Sequence, residues 1–347
     1  MTSRAVARID VGAIERNCGR LPKPLCAVVK ANGYGHGAVT AAEAALAGGA
    51  EWLAVATADE AAELRAAAIG APLLVMGALT RDELRTTVDA DADVVAWTEE
   101  VAEAAPRVHV KLDTGMSRLG TKDRELALRL AARPNAVGLM THFATADEPG
   151  DKLFPAQLDE FRSFVEAVDR DDLVAHAANS AATLRDAASH FDLVRCGVAV
   201  YGLDPFQHDP GDHGLEPALS LCSWVAALRR LEPGESAGYG RRWRAAQPTW
   251  VATVPVGYGD GWRRGLTNNA DVLIRGRRHP LVGAVSMDNV TVALGPDTDV
   301  ELGDEVVLIG RQGDERILAE EVARRLDTIN YEVTAGLLAR VSREPVR

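Results

Sequence analysis

Short apolar runs recur along the first 200 residues, and patterns typical of amphipathic helices separate most of them. The runs lie at residues 26–29, 52–56, 73–76, 94–97, 108–112, 137–140, 173–175 and 193–196, with helical patterns at 57–68, 81–90, 124–133 and 154–168. Apolar runs of this length are typical of buried strands. Eight strands alternating with helices predict a (β/α)8 barrel. A doubly wound open sheet is the alternative, because alternation alone does not show whether the sheet closes.

The pattern changes after Gly202. Residues 204–217 are rich in Pro, Asp, His and Gly, which predicts a boundary loop. The runs that follow are short and partly alternating, at residues 250–255, 271–274, 290–294 and 305–309, with one helical pattern at 318–326. They predict a mostly-β second domain. At the start of the chain, residues 6–10 alternate as a short strand would, and residues 11–20 predict a helix.

Composition excludes several classes of function. A net charge of -12 over 347 residues argues against a nucleic-acid partner, which requires a basic face. No apolar run approaches the roughly 20 residues of a membrane span, and residues 1–10 lack the apolar segment of a signal peptide. The four cysteines form no Cys-x-x-Cys pair and no pattern predicts a metal site. We therefore expect a reduced, cytoplasmic protein.

Lys30 ends the first apolar run and opens a glycine-rich turn, in the stretch CAVVKANGYGHG at residues 26–37. Only 5 of the 38 basic residues are lysines, so arginine serves wherever a surface charge suffices. A lysine can lose its proton and form a Schiff base, whereas an arginine stays protonated. A solvated lysine at the start of a loop is the alternative. The glycines match neither a Rossmann fingerprint nor a P-loop.

Other reactive residues also follow strand-like runs. They are Lys111 and Asp113 at the close of the fifth run, His142 after the sixth, Asn179 and Ser180 after the seventh, and Arg195 at the end of the eighth. All carboxyl ends of the strands in a parallel barrel open on one face, which carries the active site. These side chains are therefore predicted to meet at one mouth.

Several motifs resemble those of the alanine racemases. They lie at residues 27–37, 110–120, 141–147, 177–182 and 194–197, and in the second half at 238–240, 256–261, 286–288 and 329–332. The resemblance implies a (β/α)8 barrel with a C-terminal mostly-β domain that the N-terminal strand joins. The predicted domains are then residues 10–215, and residues 1–9 with 216–347. It also implies a head-to-tail homodimer in which the second domain contributes to the partner's active site.

The resemblance assigns the chemistry to pyridoxal 5'-phosphate. Lys30 resembles the lysine that holds this cofactor as a Schiff base and then acts as one catalytic base. Tyr239 resembles the second base, which the partner subunit supplies. A phenol has a pKa of about 10 and must be activated by its surroundings. His142 and Arg195 resemble the network that does so, with Arg195 facing the pyridine nitrogen.

The remaining site residues are also implied by the resemblance. Those for the cofactor phosphate are Tyr34, Ser180, Gly197 and Val198. Those around the substrate are Arg118, Tyr258 and Met287. The lysine that matches Lys111 is commonly carbamylated in this family, which would give Arg118 an anionic partner. One departure is Ala339, which stands where the family often has a tyrosine that touches the phosphate.

The function implied is the interconversion of L-alanine and D-alanine by two-base proton transfer, supplying D-alanine for peptidoglycan. One alternative is a racemase with a preference for serine or a broader set of amino acids. Others are a decarboxylase of the same architecture and a non-catalytic pyridoxal-phosphate carrier. The second domain argues against the carrier, because single-barrel carriers lack it, and the motif around Tyr239 argues against the decarboxylase.

Overall fold

The computed structural model describes residues 3–347 and divides them into two compact units. One unit is Ile14–Glu216. The other comprises residues 3–13 together with Pro217–Arg347. Residues 1 and 2, with which the predicted second domain begins, lie outside the described residues.

Eight parallel strands form the sheet of the first unit. They are β2 (Leu25–Val28), β3 (Trp52–Val55), β4 (Leu73–Val75), β5 (Asp93–Ala96), β6 (Val108–Lys111), β7 (Ala136–Met140), β8 (Val174–His176) and β9 (Val194–Cys196). The spatial order is β8-β7-β6-β5-β4-β3-β2-β9. The N–H of Arg195 donates to the carbonyl of Ala178 (2.9 Å), and that of Asp192 to the carbonyl of Ala175 (3.0 Å), which bring the two ends of the sheet together. The predicted (β/α)8 barrel is confirmed.

Helices cover the outside of this barrel, and several of them begin at a side-chain cap. They are Ala38–Ala47, Ala58–Ala66, Arg81–Asp89, Glu99–Ala104, Arg124–Ala131, Leu153–Ala167 and Ser180–Arg185, after Val11–Arg20 near the start of the chain. Thr57 with Glu60, and Thr80 with Glu83, form reciprocal capping boxes. Such pairs satisfy the free N–H groups of a first turn, which helps to fix where these two helices begin.

Inside the barrel, an apolar cluster lies beside a set of buried polar side chains. An apolar cluster is made by Cys26, Val28, Ala54, Leu74, Val95, Met140 and Leu193. Alternate residues of a strand share one face, so His109 and Lys111 of β6 lie on the same side of the sheet. Both are buried, as are His176 and Arg195. A buried polar group requires partners, and those partners define the site described below.

The second unit is mostly β, as predicted. Its strands are β1 (Val6–Asp10), β10 (Leu219–Trp224), β11 (Ala227–Leu231), β12 (Ser236–Ala237), β13 (Trp243–Arg244), β14 (Thr249–Val254), β15 (Asp271–Ile274), β16 (Arg277–Val282), β17 (Val290–Gly295), β18 (Glu305–Gln312), β19 (Glu315–Ile317) and β20 (Ser342–Val346). The main sheet runs β11-β14-β17-β16-β15-β18-β10-β1-β20, and β19 pairs with β18. Strand β1 is antiparallel to β10 and parallel to β20. Two short helices, Ala319–Leu326 and Asn330–Ala335, precede β20.

None of the helices within residues 3–347 combines the length and the apolar character that crossing a bilayer requires.

Candidate active site

Lys30 is followed by a turn of left-handed backbone. Residues 31–34 have φ values of 52°, 54°, 60° and 52°. For residues other than glycine this conformation costs roughly 1–2 kcal/mol each, so the surroundings must hold it. Glu60 accepts the N–H of Ala31 (2.6 Å), and Asn32 Oδ1 accepts that of Ala38 (3.0 Å). Strain maintained in this way is typical of functional sites, and here it fixes the backbone next to Lys30.

The Lys30 amine is available for reaction. It is half-buried and forms no hydrogen bond or ion pair with residues 3–347. Burial lowers its pKa below the usual value, and the positive charge of Arg118 lowers it further, while Glu60 opposes both effects. A lowered pKa increases the neutral, nucleophilic fraction of the amine.

Three of the predicted phosphate residues meet at one corner of the barrel mouth. Ser180 Oγ accepts the N–H of Gly197 (3.0 Å) and of Ala199 (3.3 Å). A Cβ on Gly197 would lie 2.3 Å from the hydroxyl of Tyr34, so only glycine leaves room for that phenol. The N–H of Val198, next in the chain, has no hydrogen-bond partner within residues 3–347. Hydroxyls beside a free amide are the donors that a phosphate requires.

Arg195 is buried, and hydrogen bonds hold both Nη atoms of its guanidinium. Its Nη1 donates to His176 Nδ1 (2.8 Å), and its Nη2 donates to the carbonyls of Thr141 (2.9 Å) and Ala177 (3.1 Å). Burial lowers its pKa to about 10. The Nε–H and one Nη1–H have no partner within residues 3–347. The guanidinium is therefore fixed in orientation while two of its donors stay available to a ligand.

His142 lies beside this guanidinium, with its Nδ1 3.4 Å from Arg195 Nη2. Burial lowers the pKa of His142 well below its usual value, and the charges of Arg195 and Lys111 lower it further. A neutral imidazole next to a guanidinium can accept hydrogen bonds. The structure thus brings together two of the predicted catalytic residues.

Cations accumulate at this mouth. Lys111 is buried, and burial, Arg195 and Arg118 together lower its pKa to about 8. Asp113 is the nearby carboxylate, and its Oδ1 already accepts the N–H groups of Gly115 (3.0 Å) and Ser117 (3.0 Å). Together with Lys30, these side chains create a positive field that favours anionic ligands.

The other three predicted residues belong to the second unit. Tyr239, Tyr258 and Met287 are exposed, with 73%, 38% and 52% of their surface accessible. The loops of Tyr258 and Met287 are joined, because the N–H of Tyr258 donates to Ser286 O (3.1 Å) and that of Gly259 to Met287 O (2.9 Å). Exposed aromatic and thioether side chains on paired loops are suited to contact with another molecule.

Ion pairs that the sequence does not reveal fix these loops. Asp260, which is buried, accepts from Arg4 (2.8 Å) and lies 3.3 Å from Arg340 Nε. Arg340 also bonds Asp288 (2.7 Å), next to Met287. The exposed Ala339 precedes Arg340 and offers no hydroxyl. The basic and acidic residues of these pairs are between 52 and 256 positions apart, so no local pattern indicates their pairing.

Sequence reasoning also missed the residues behind Arg195. His176 binds its guanidinium, and His109 in turn binds His176. The only signal is a histidine inside an apolar strand pattern, which is usually structural. Within residues 3–347 no group of His, Cys, Asp and Glu is arranged to hold a metal ion.

Comparisons with known proteins extend over both units. Residues 9–205 match the family model of the alanine racemase N-terminal domain, and residues 218–345 that of the C-terminal domain. The alanine racemase of Symbiobacterium thermophilum is 41% identical over 97% of this chain and 96% of its own length. The crystal structure of alanine racemase from E. faecalis has a TM-score of 0.92 at 37% identity, covering 99% of this chain and 98% of that chain. That of the Bacillus anthracis enzyme with bound L-Ala-P has a TM-score of 0.90 at 37% identity, covering 100% and 96%.

Proposed function

Since this chain belongs to the alanine racemase family, we propose that it interconverts L-alanine and D-alanine. The observation that carries the proposal is the meeting of the free Lys30 amine, the donor-rich corner at Ser180 and Gly197, and the fixed guanidinium of Arg195. The family depends on pyridoxal phosphate. That cofactor, when bound, withdraws electrons from the substrate and makes its Cα proton acidic.

The donor set fits this cofactor. The Lys30 amine would bind its aldehyde carbon, while the hydroxyls of Tyr34 and Ser180 and the amides of Gly197 and Val198 would bind its phosphate. Arg195 would donate to the pyridine nitrogen. A guanidinium only donates hydrogen bonds, so that nitrogen must act as an acceptor and stay unprotonated.

Racemisation requires proton exchange on both faces of Cα. We assign one face to Lys30, whose lowered pKa favours the neutral amine. The other belongs to Tyr239 of a second copy of this chain, so each site would be shared in a homodimer. The exposure of Tyr239 supports this assignment. Accordingly, residues 10–215 would bind the cofactor and residues 1–9 with 216–347 would complete the partner's site.

The substrate would be held by charge and confined by size. Arg118 would face the carboxylate of the amino acid, and a carbamate on Lys111 would hold Arg118 in place. Tyr258 and Met287 would narrow the pocket, since bulky side chains exclude longer substrates and favour alanine. The cellular role would be the supply of D-alanine for peptidoglycan in the cytoplasm.

Chiral chromatography of L-alanine incubated with the purified protein and pyridoxal phosphate tests the proposal. The enantiomers have equal free energy, so the mixture must approach equal amounts. The matched control is Lys30→Ala, which should leave L-alanine unchanged. If the wild-type protein binds the cofactor but leaves L-alanine unchanged, racemisation of alanine is refuted, and conversion of L-serine would identify the alternative racemase.

A further inference from the structure

A chain of buried polar side chains begins at Arg195 and crosses the barrel interior. His176 Nδ1 lies 2.8 Å from Arg195 Nη1, and His176 Nε2 lies 2.7 Å from His109 Nδ1. His109 Nε2 lies 3.1 Å from Asp93 Oδ2. The other oxygen of Asp93 accepts from Arg107, which is partly exposed. Both histidines are fully buried and Asp93 nearly so.

Only one arrangement of protons satisfies every contact in this chain. Arg195 can only donate, so His176 Nδ1 must accept and the proton of the neutral ring lies on Nε2. That proton is donated to His109 Nδ1. The proton of His109 then lies on Nε2 and is donated to Asp93, which as a carboxylate can only accept. The same positions of the protons are obtained when the contacts are followed from Asp93 to Arg195.

The electrostatics agree with a neutral His176 ring and an anionic Asp93 at the end of the hydrogen-bond chain. Burial, and after it the charge of Arg195, lowers the pKa of His176 well below its usual value. Burial alone would raise the pKa of Asp93, but the hydrogen bonds from His109 and Arg107 outweigh it and lower that pKa. Within residues 3–347, Arg195 forms no ion pair with a carboxylate. The nearest negative end of its hydrogen-bond chain is therefore Asp93.

The barrel also makes room for this chain. Gly138 of β7 lies opposite His109 of β6, and a Cβ on Gly138 would lie only 2.2 Å from His109 Nδ1. Any larger residue would push the imidazole away from His176. The edge of the Trp52 ring system meets the same imidazole, with ring centroids 5.7 Å apart. The position of His109 is thus fixed by packing as well as by hydrogen bonds.

We infer that Asp93 is a positioning residue for Arg195: by accepting the Nε2 proton of His109, it sets the tautomers of His109 and His176 and so the orientation of the guanidinium. Without an acceptor at Asp93, His109 can carry its proton on Nδ1 and donate to His176. His176 would then carry its own proton on Nδ1, facing the donors of Arg195. The tautomers do not depend on the proposed function; their effect on the ring nitrogen of the cofactor rests on it.

Nitrogen-15 NMR of the holoenzyme labelled at histidine tests this inference directly. The chain has eight histidines, and the signals of His109 and His176 are assigned by their loss in His109→Gln and His176→Gln. We expect both rings to be neutral, with a bare Nδ1 and a protonated Nε2. A proton on Nδ1 of either ring would overturn the inference. Because no substrate is present, this result is independent of whether the protein racemises alanine.

Variants of Asp93 and of its partner Arg107 test the role of Asp93 itself. Asp93→Leu keeps the branching at Cγ but removes the acceptor, so we expect loss of the bare Nδ1 signal of His176 and a shift of the Arg195 Nη signals in arginine-labelled protein. Arg107→Gln is the matched control, because it breaks the same ion pair but leaves the acceptor, and its histidine signals should equal those of the wild type.

A double variant separates the acceptor from its charge. In Asp93→Asn with Arg107→Gln, the amide oxygen can face His109 without competition from Arg107, so the wild-type tautomers should return. The inference is overturned if Asp93→Leu retains wild-type signals, if Arg107→Gln alone reproduces its effect, or if the double variant behaves like Asp93→Leu.

Discussion

Lys111 should react with carbon dioxide at neutral pH. Its amine has a pKa of about 8 instead of 10.5. At pH 7 roughly one amine in ten is then neutral, against roughly three in ten thousand for an ordinary lysine, a gain of about 300-fold. Only the neutral amine attacks carbon dioxide: a nitrogen–carbon bond forms, a proton is released, and the product is an anionic carbamate.

The same pKa difference predicts how stability changes. While Lys111 stays cationic, the difference of about 2.5 pKa units corresponds to a cost of ~3 kcal/mol in the free energy of unfolding. The unfolded chain binds more protons than the folded chain between pH 8 and 10.5. The cost is therefore absent above pH 10.5, develops as the pH falls through this window, and is complete below pH 8. A carbamate removes it, because the group is then an anion beside arginines.

Carbon-13 NMR of protein equilibrated with labelled bicarbonate provides the assay. A carbamate carbon should appear in the wild type and be absent in Lys111→Met, which should also be more stable than carbon-dioxide-depleted wild type at pH 7. Lys23→Met is the matched control. Burial also lowers the pKa of Lys23, but its amine donates to the carbonyl of Cys18 (2.8 Å), so this variant should keep the carbamate signal of the wild type. No carbamate signal in the wild type, or an equal one in Lys111→Met, would refute the reasoning.

Three further predictions concern the barrel mouth and its support. Mixing inactive Lys30→Ala with inactive Tyr239→Phe should restore part of the racemase activity if sites are shared, and no recovery despite demonstrated subunit exchange would contradict a shared site. Arg195→Glu should raise transamination relative to racemisation, measured as pyruvate formed per racemisation event, since a carboxylate would favour a protonated ring nitrogen; unchanged partitioning would count against this role. Gly138→Ala should lower the free energy of unfolding by about 1–3 kcal/mol through overpacking against His109, and a thermal melt equal to the wild type would show that the imidazole can move.

Periodicity predicts most of the fold because each strand and helix of the barrel buries a continuous apolar face. The predicted run at 271–274 is the strand Asp271–Ile274, and the run at 108–112 is the strand Val108–Lys111. The run at 173–175 is shifted to Val174–His176. Ends shift because a strand ends where its hydrogen bonds end, and these depend on the neighbouring strand.

The candidate site is predictable where its residues lie at strand ends. Lys30, Lys111, His142, Ser180 and Arg195 all follow or end strands of the barrel, where a parallel barrel collects its functional groups. A local sequence pattern does not show which distant positions of the chain are in contact.

The left-handed turn after Lys30 shows a second limit. Only two glycines lie within residues 31–35, yet Ala31, Asn32 and Tyr34 also have positive φ values. Sequence composition predicts a tight turn there but not its hand, because the conformation is maintained by Glu60, a residue of the helix Ala58–Ala66. Local propensity disfavours this backbone, and tertiary hydrogen bonds decide it.

The distribution of charge partners supports Lys30 as the proposed reactive amine among the four cations at the mouth. Arg195 is linked through two imidazoles to Asp93, and a carbamate on Lys111 would be the anion for Arg118. Glu60 is the carboxylate whose charge acts on Lys30, but its oxygens accept backbone N–H groups, including that of Ala31. Lys30 therefore has a positive neighbour and no carboxylate committed to it, so losing its proton is less costly there than at an ordinary surface lysine. The arrangement gives the buried guanidinium of Arg195 a carboxylate at the end of its hydrogen-bond chain and leaves the Lys30 amine without one.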